Sequence, residues 1–154
     1  TGFQWFDLSN DDPNYIIKES IKAEKIIHNF INEVKQKFRL NNSNICISGF
    51  SQGCMMSINI GLTSNENFNC IVGFSGKIID KDDLSKRISS TTKMLLLHGD
   101  VDLVVSSSNL LDAKDFLIRN KIEVQTQMID NCDHTISVKA SSIALNYIKK
   151  NFLF

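Results

Sequence analysis

Ser51 lies between two glycines, in the segment GFSQG that spans residues 49–53. An apolar run precedes this segment and a helical pattern follows it, which is the setting of the G-x-S-x-G turn between a strand and a helix. Such a turn is crowded, so we expect Gly49 and Gly53 to be required because they lack a side chain. The turn would expose the serine hydroxyl for attack on a carbonyl carbon. The backbone N–H of Gln52 would then donate to the oxyanion that forms.

A serine hydroxyl is a weak nucleophile without a base, so this chemistry also requires a histidine. The chain has three. His28 falls within the first long helical pattern, where a partly exposed surface residue is predicted. His98 closes an apolar run, where a structural packing role is predicted. Hydrolases with this turn carry serine, acid and histidine in that order along the chain, and only His134, which follows the last predicted strand, fits that order.

The acid that orients the histidine is expected just after the third predicted strand, where Asp100 and Asp102 both lie. Asp100 is nearly still in the strand, whereas Asp102 leaves two residues for the chain to curl toward the histidine. We therefore favour Asp102, and Asp100 remains the alternative. Asp133, next to the histidine, is predicted to be exposed to solvent.

Strands and helices alternate along the chain in an order that would bring these residues together. Four short segments are predicted to be strands: residues 45–48, 70–74, 93–98 and 123–129. Helical patterns cover residues 15–38, 52–62, 109–119 and 137–151, with a short helix around Leu84. The connections are too long for hairpins, which favours an α/β fold with a parallel sheet covered by helices on both faces. The fourth strand alternates apolar and polar residues and is predicted to lie at an edge.

The spacing of apolar residues predicts which side of each helix faces the core. In the first helix the apolar stripe includes Phe30, Ile31 and Phe38. In the helix over residues 109–119 it comprises Leu110, Ala113, Phe116 and Leu117. In the last helix it comprises Val138, Leu145 and Ile148.

Composition narrows the function classes further. Lys plus Arg and Asp plus Glu both number 17, so the net charge is zero and no basic footprint for nucleic acid is present. The apolar runs are far shorter than the roughly 20 residues that span a bilayer, and the glycines around Ser51 lack the G-x-G-x-x-G spacing of dinucleotide-binding domains. No two of the four cysteines are spaced as C-x-x-C, which favours buried, reduced thiols in a cytoplasmic protein over a metal site or disulfides.

Three motifs together resemble the phospholipase/carboxylesterase family of α/β-hydrolases, which includes the acyl-protein thioesterases. They are GFSQG, the segment HGDVDLVV over residues 98–105, and the Asp133-His134 pair; the segment WFD over residues 5–7 is similar too. The resemblance implies hydrolysis of carboxylic esters, lysophospholipids or acyl thioesters, without a metal or an organic cofactor. It also implies Ser51 as nucleophile, Asp102 as acid and His134 as base. Candidate apolar walls for an acyl chain are Trp5, Phe6, Phe50, Met55 and Phe74, and core packing is the alternative role for this set.

The same resemblance implies further strands and a Gly-rich loop ahead of Trp5, the loop supplying a second oxyanion donor. We therefore expect residues 1–154 to form a single domain that corresponds to the C-terminal two-thirds of an α/β-hydrolase domain. The strand over residues 45–48 would then have an open edge, which favours self-association into a homo-oligomer. An alternative function is a truncated, weakly active or inactive hydrolase remnant that acts as a binding module.

Overall fold

The computed structural model describes residues 3–152 and has an α/β architecture. In these residues strands and helices alternate after a long first helix. The helices are α1 (Pro13–Phe38), α2 (Gln52–Thr63), α3 (Lys81–Arg87), α4 (Ser108–Arg119) and α5 (Val138–Asn151), with one 3-10 turn at Asn42–Asn44. The strands are β1 (Cys46–Phe50), β2 (Cys70–Phe74), β3 (Met94–Gly99) and β4 (Val124–Ile129). Each predicted element is present, and no predicted end is displaced by more than two residues.

The four strands form one parallel sheet in the order β1-β2-β3-β4. The two central strands are buried along their whole length, whereas β1 and β4 are only partly buried. The parallel sheet and the edge position of the fourth strand are therefore confirmed. Because all four strands run the same way, the loops that follow them lie together at the C-terminal ends of the strands.

Helices cover both faces of the sheet, as predicted. Ile71, Met94 and Leu96 point to one face, where they pack with residues of α2 and α4. Alternate residues of the same strands, such as Val72 and Leu95, point to the other face and pack with residues of α5. This two-residue alternation follows from strand geometry and gives the sheet an apolar core on each side.

The buried face of α1 agrees only in part with the predicted stripe, of which Ile31 is buried. Phe30 and Phe38 are 63% and 61% exposed, although their spacing placed them in the apolar stripe. Glu24 is buried instead, because Arg87 of α3 reaches it at 2.7 Å and compensates its charge. Among the helices within residues 3–152, none is both long enough and apolar enough to cross a bilayer.

The predicted inward face is correct for α4 and largely wrong for α5. In α4 the four predicted residues are the buried ones. In α5 the prediction was wrong for Val138 and Leu145, which are exposed, because the helix packs through Ala140, Ala144 and Tyr147. Alanines at these positions let the helix backbone lie close to the sheet.

An apolar groove lies beside β1, on the edge of the sheet that has no strand partner in the described residues. Its volume is about 600 Å³. Trp5, apolar side chains of α1 that include the exposed Ile26 and Phe30, and residues 45–48 line it. An edge strand with unpaired backbone groups next to such a groove is a surface on which another strand can pair.

Candidate active site

The strand-to-helix turn after β1 has the strained geometry that the GFSQG segment predicts. Ser51 has φ 52° and ψ −118°, a conformation that non-glycine residues rarely adopt and that costs about 1–3 kcal/mol. Its N–H donates to the carbonyl of Phe74 at 2.9 Å, which continues the pairing of β1 with β2. Its own carbonyl accepts from the N–H groups of Cys54 and Met55 and so begins α2. The turn is thus held by the sheet on one side and by the helix on the other.

The two glycines of the turn are not equivalent. A Cβ atom added to Gly49 would lie 2.1 Å from the carbonyl oxygen of Gly53 and 2.6 Å from the hydroxyl of Ser57. A Cβ atom added to Gly53 would meet nothing within 4 Å. The expected requirement for glycine therefore holds at Gly49 and is wrong at Gly53, because the crowding arises where the strand passes the carbonyl of Gly53.

The structure brings Ser51, His134 and Asp102 together from three loops at the C-terminal ends of the strands. His134 Nε2 lies 2.9 Å from Ser51 Oγ, and His134 Nδ1 lies 2.7 Å from Asp102 Oδ2. The imidazole is 17% exposed and the carboxylate is fully buried. Because a carboxylate can only accept, Nδ1 carries a hydrogen, and in a neutral imidazole Nε2 then presents its lone pair to the serine hydroxyl.

The carboxylate of Asp102 is held by its own loop. Oδ1 accepts from the N–H groups of Val104 and Val105, both at 2.9 Å, while Oδ2 faces His134. Burial by itself would raise the pKa of Asp102, but the hydrogen bonds from His134 and from these two backbone amides outweigh burial and lower it. Asp102 is therefore ionised at neutral pH, which suits a group that orients an imidazole.

Asp100, the alternative acid, has a different position. It is exposed, and its Oδ1 accepts from the N–H of Cys132 at 3.3 Å, so it joins the loop after β3 to the loop after β4. The N–H of Val101 donates to the carbonyl of Cys132 across the same gap. Gly99 permits this approach, because a Cβ there would lie 2.1 Å from the carbonyl oxygen of Cys132. Asp133 is exposed, as predicted.

The side chain of Gln52 has a role that the sequence did not indicate. Its Oε1 accepts from the N–H of Trp5 and its Nε2 donates to the carbonyl of Phe6, both at 2.8 Å. The amide therefore fastens residues 5–6 to the turn that carries Ser51. Its backbone N–H belongs to the first residue of α2 and has no acceptor within the helix.

Four of the candidate wall residues lie in different surroundings. Phe6 and Phe74 are buried in apolar clusters, so the structure favours core packing for both. Phe50 packs against His134, with ring centroids 4.7 Å apart. Trp5 is 48% exposed and lines the groove beside β1. A role in contacting an acyl chain remains a prediction for Trp5 and Phe50.

A second histidine lies against the acid. His98, at the end of β3, is buried, and its Nε2 is 2.9 Å from the carbonyl oxygen of Val105 and 3.3 Å from Asp102 Oδ2. The sequence pattern predicted a packing role alone for His98. Its position four residues before the acid, in the HGDVD segment, was the available signal. In the part of the chain that the structure describes, no three His, Cys, Asp or Glu side chains are grouped to hold a metal ion.

A sequence model of the phospholipase/carboxylesterase family matches residues 1–152 of this chain. The chain belongs to that family. Among curated members, acyl-protein thioesterase 1 of Yarrowia lipolytica is 31% identical over 113 residues, which are 70% of this chain and 49% of that protein. Esterase YpfH of Escherichia coli is 21% identical over 151 residues, which are 96% of this chain and 62% of that protein. The chain thus spans about half the length of several curated relatives that it matches.

Solved structures support the same assignment for this member of the phospholipase/carboxylesterase family. The crystal structure of esterase PE8 superposes with a TM-score of 0.91 at 28% identity, covering 98% of this chain and 71% of that chain. The crystal structure of Arabidopsis thaliana SOBER1 superposes with a TM-score of 0.81 at 21% identity, covering 96% of this chain and 73% of that chain, which is evidence for the fold alone. The fold is therefore an α/β-hydrolase fold, as the sequence motifs implied.

Proposed function

We propose that this chain hydrolyses carboxylic ester or thioester bonds, with Ser51 as nucleophile, His134 as general base and Asp102 as the acid that orients it. The observation that carries the proposal is the unbroken line of contacts from Ser51 Oγ through the imidazole to the buried carboxylate. Membership of the phospholipase/carboxylesterase family supports the same class of reaction.

The proposed reaction has two steps. As Ser51 Oγ attacks the acyl carbonyl carbon, its proton passes to His134 Nε2, and the imidazolium that forms is stabilised by the ionised Asp102. The tetrahedral intermediate collapses, His134 returns the proton to the departing alcohol or thiol, and the acyl group stays on Ser51. A water molecule, deprotonated by the same imidazole, then attacks the acyl-serine. The bond between the acyl carbon and Ser51 Oγ breaks, the imidazolium returns its proton to Oγ, and a carboxylic acid leaves.

The proposed oxyanion donor is the backbone N–H of Gln52. This amide lies directly after the nucleophile and at the N-terminus of α2, where the helix dipole favours negative charge. It is held in place because the side chain of Gln52 is itself anchored to residues 5–6.

The alternative, a binding module without turnover, is not favoured. A binding surface has no need for a strained serine, an imidazole nitrogen facing its hydroxyl and a buried carboxylate behind the imidazole. Strained backbone at Ser51 is typical of sites where the strain serves a reaction.

Labelling with a fluorophosphonate probe tests the proposal directly. We expect one covalent adduct on this chain, located at Ser51 by peptide mass spectrometry, and turnover of p-nitrophenyl acetate and of a short acyl thioester. Ser51→Ala is expected to lose both adduct and turnover. Ser48→Ala is the matched control, because it removes an exposed hydroxyl from the preceding strand and leaves the turn intact. Equal labelling of Ser51→Ala and the unmodified chain would refute Ser51 as the reactive group.

A further inference from the structure

His98 is a buried imidazole that the two-step reaction leaves without a role. It is the last side chain of β3 before Gly99, and its ring is 1% exposed. Histidine is rarely buried without polar partners, and here Nε2 lies near two oxygen atoms, the carbonyl of Val105 and Oδ2 of Asp102.

The partners of His98 fix its tautomer. The carbonyl oxygen of Val105, 2.9 Å from Nε2, can only accept a hydrogen bond. Nε2 therefore carries a hydrogen. Asp102 Oδ2 lies 3.3 Å from the same nitrogen, close enough for electrostatic attraction between the N–H group and the carboxylate.

These contacts make His98 a brace for the acid. Val105 is held on both sides, because its N–H donates to Asp102 Oδ1 and its carbonyl accepts from His98. The imidazole of His98 stands beside Oδ2, the same oxygen that accepts from His134. Rotation of the carboxylate away from His134 would break the bonds to the loop and the contact with His98 together.

We propose that His98 is a positioning residue, which holds Asp102 in the orientation that His134 needs. It acts through its Nε2–H bond to the carbonyl of Val105 and the contact of the same nitrogen with the carboxylate. This inference rests on the proposed function. Asp102 acts mainly when the imidazolium forms. A carboxylate that is free to rotate therefore reduces stabilisation of the transition state more than it reduces the affinity for substrate. Loss of the brace should therefore lower kcat and leave KM nearly unchanged.

Three substitutions separate a donor at Nε2 from simple filling of space. His98→Leu keeps an apolar side chain and removes the donor. His98→Gln places an amide N–H near the position of Nε2, whereas the shorter His98→Asn reaches only the position of Nδ1. We expect kcat for p-nitrophenyl acetate to fall about tenfold or more in the Leu and Asn variants, with KM within about twofold, because a lost hydrogen bond near a charged group is worth at least that factor. The Gln variant should stay within about threefold of the unmodified chain.

Nitrogen-15 NMR of histidine-labelled protein supplies a readout that does not depend on activity. We expect His98 to show a hydrogen on Nε2. A hydrogen on Nδ1 alone would overturn the inference, as would full kcat in His98→Leu or equal kcat in the Gln and Asn variants. If the Leu variant does not fold, the comparison of Gln with Asn decides the matter.

Ser51→Ala distinguishes failure of this inference from failure of the proposed function. Turnover by Ser51→Ala equal to that of the unmodified chain refutes the proposed function. An inactive Ser51→Ala together with an unaffected His98→Leu refutes only the role of His98.

Discussion

Replacing each glycine of the GFSQG turn with alanine should have opposite effects on stability. The Cβ of Gly49→Ala would lie 2.1 Å from the carbonyl oxygen and 2.2 Å from the carbonyl carbon of Gly53, whereas ordinary contact begins at 3.4 Å. Both atoms belong to the backbone of α2, so the strain cannot be relieved by rotating a side chain. The strand and the helix must separate by more than an ångström.

The expected cost of Gly49→Ala is at least about 3 kcal/mol, the upper end for overpacking in a well-packed interior. For a domain of this size that corresponds to a fall in Tm of about 6–12 °C. Gly53→Ala meets no atom within 4 Å and lies near the start of α2, so we expect a gain of about 0.5–1 kcal/mol from the better helix propensity of alanine.

Thermal unfolding followed by circular dichroism measures both changes, and ester turnover gives a second readout. Movement of β1 against α2 would displace Ser51 from its 2.9 Å contact with His134, and a displacement of about 1 Å can cost roughly a hundredfold in rate. Equal losses of Tm in the two variants, or an unchanged Tm in Gly49→Ala, would refute the assignment of the crowding to position 49.

Three further predictions concern charge, thiol reactivity and association. Asp102→Asn should lower the free energy of unfolding by about 1–3 kcal/mol at neutral pH. Because the folded protein lowers the pKa of Asp102, the difference in stability between the two proteins should be constant above pH 3.8, the ordinary pKa, and shrink as the pH falls below it. Urea titrations that show no such convergence would contradict the assignment. Burial raises the pKa of Cys54 to about 12, so Ellman's reagent at pH 8 should leave Cys54 unmodified until the protein is denatured, and rapid modification in the native state would be contrary evidence. The open edge of β1 should make the chain self-associate as its concentration rises. Changing the exposed Ile26 and Phe30 of the adjoining groove to lysine should shift the sedimentation profile toward the monomer. An unchanged distribution of monomer and oligomer would exclude this surface as the site of association.

The positions of Ser51, His134 and Asp102 could be inferred from sequence because each depends on local pattern and chain order. The turn residues mark the end of β1, and the apolar runs mark the ends of β3 and β4. A parallel sheet places these strand ends side by side, although His134 is 83 residues from Ser51 and 32 residues from Asp102 along the chain. The topology thus turns three local signals into one site.

The faces of the helices were predictable only where one apolar stripe dominates. In α4 four apolar residues recur at helical spacing, and only Leu111 and Ile118 lie outside that stripe. In α5 two stripes compete, and the one with Ala140, Ala144 and Tyr147 is buried because its small residues allow closer packing. Hydrophobicity favours Leu145, so the sequence pattern pointed to the wrong side.

The role of His98 depends on the path of the loop after β3, and the role of the Gln52 side chain depends on contacts between distant segments. His98 acquires its role only because the loop after β3 folds back and presents the carbonyl of Val105. Gln52 acquires its role because residues 5–6 pass across the turn, 46 and 47 residues away along the chain. Residue type alone makes both side chains look like ordinary packing or capping residues.

The site consists of two units that meet at the imidazole of His134. The loops after β3 and β4 are joined by backbone contacts at Gly99 and Cys132, so acid and base are carried together by one half of the sheet. The nucleophile belongs to the other half, where Ser51 is fastened to β2. Above the sheet, His134 joins the two units through its contacts with Ser51 and with the ring of Phe50. A change within either unit should therefore alter the serine–imidazole distance while leaving the acid–imidazole contact in place, unless it reaches the brace formed by His98.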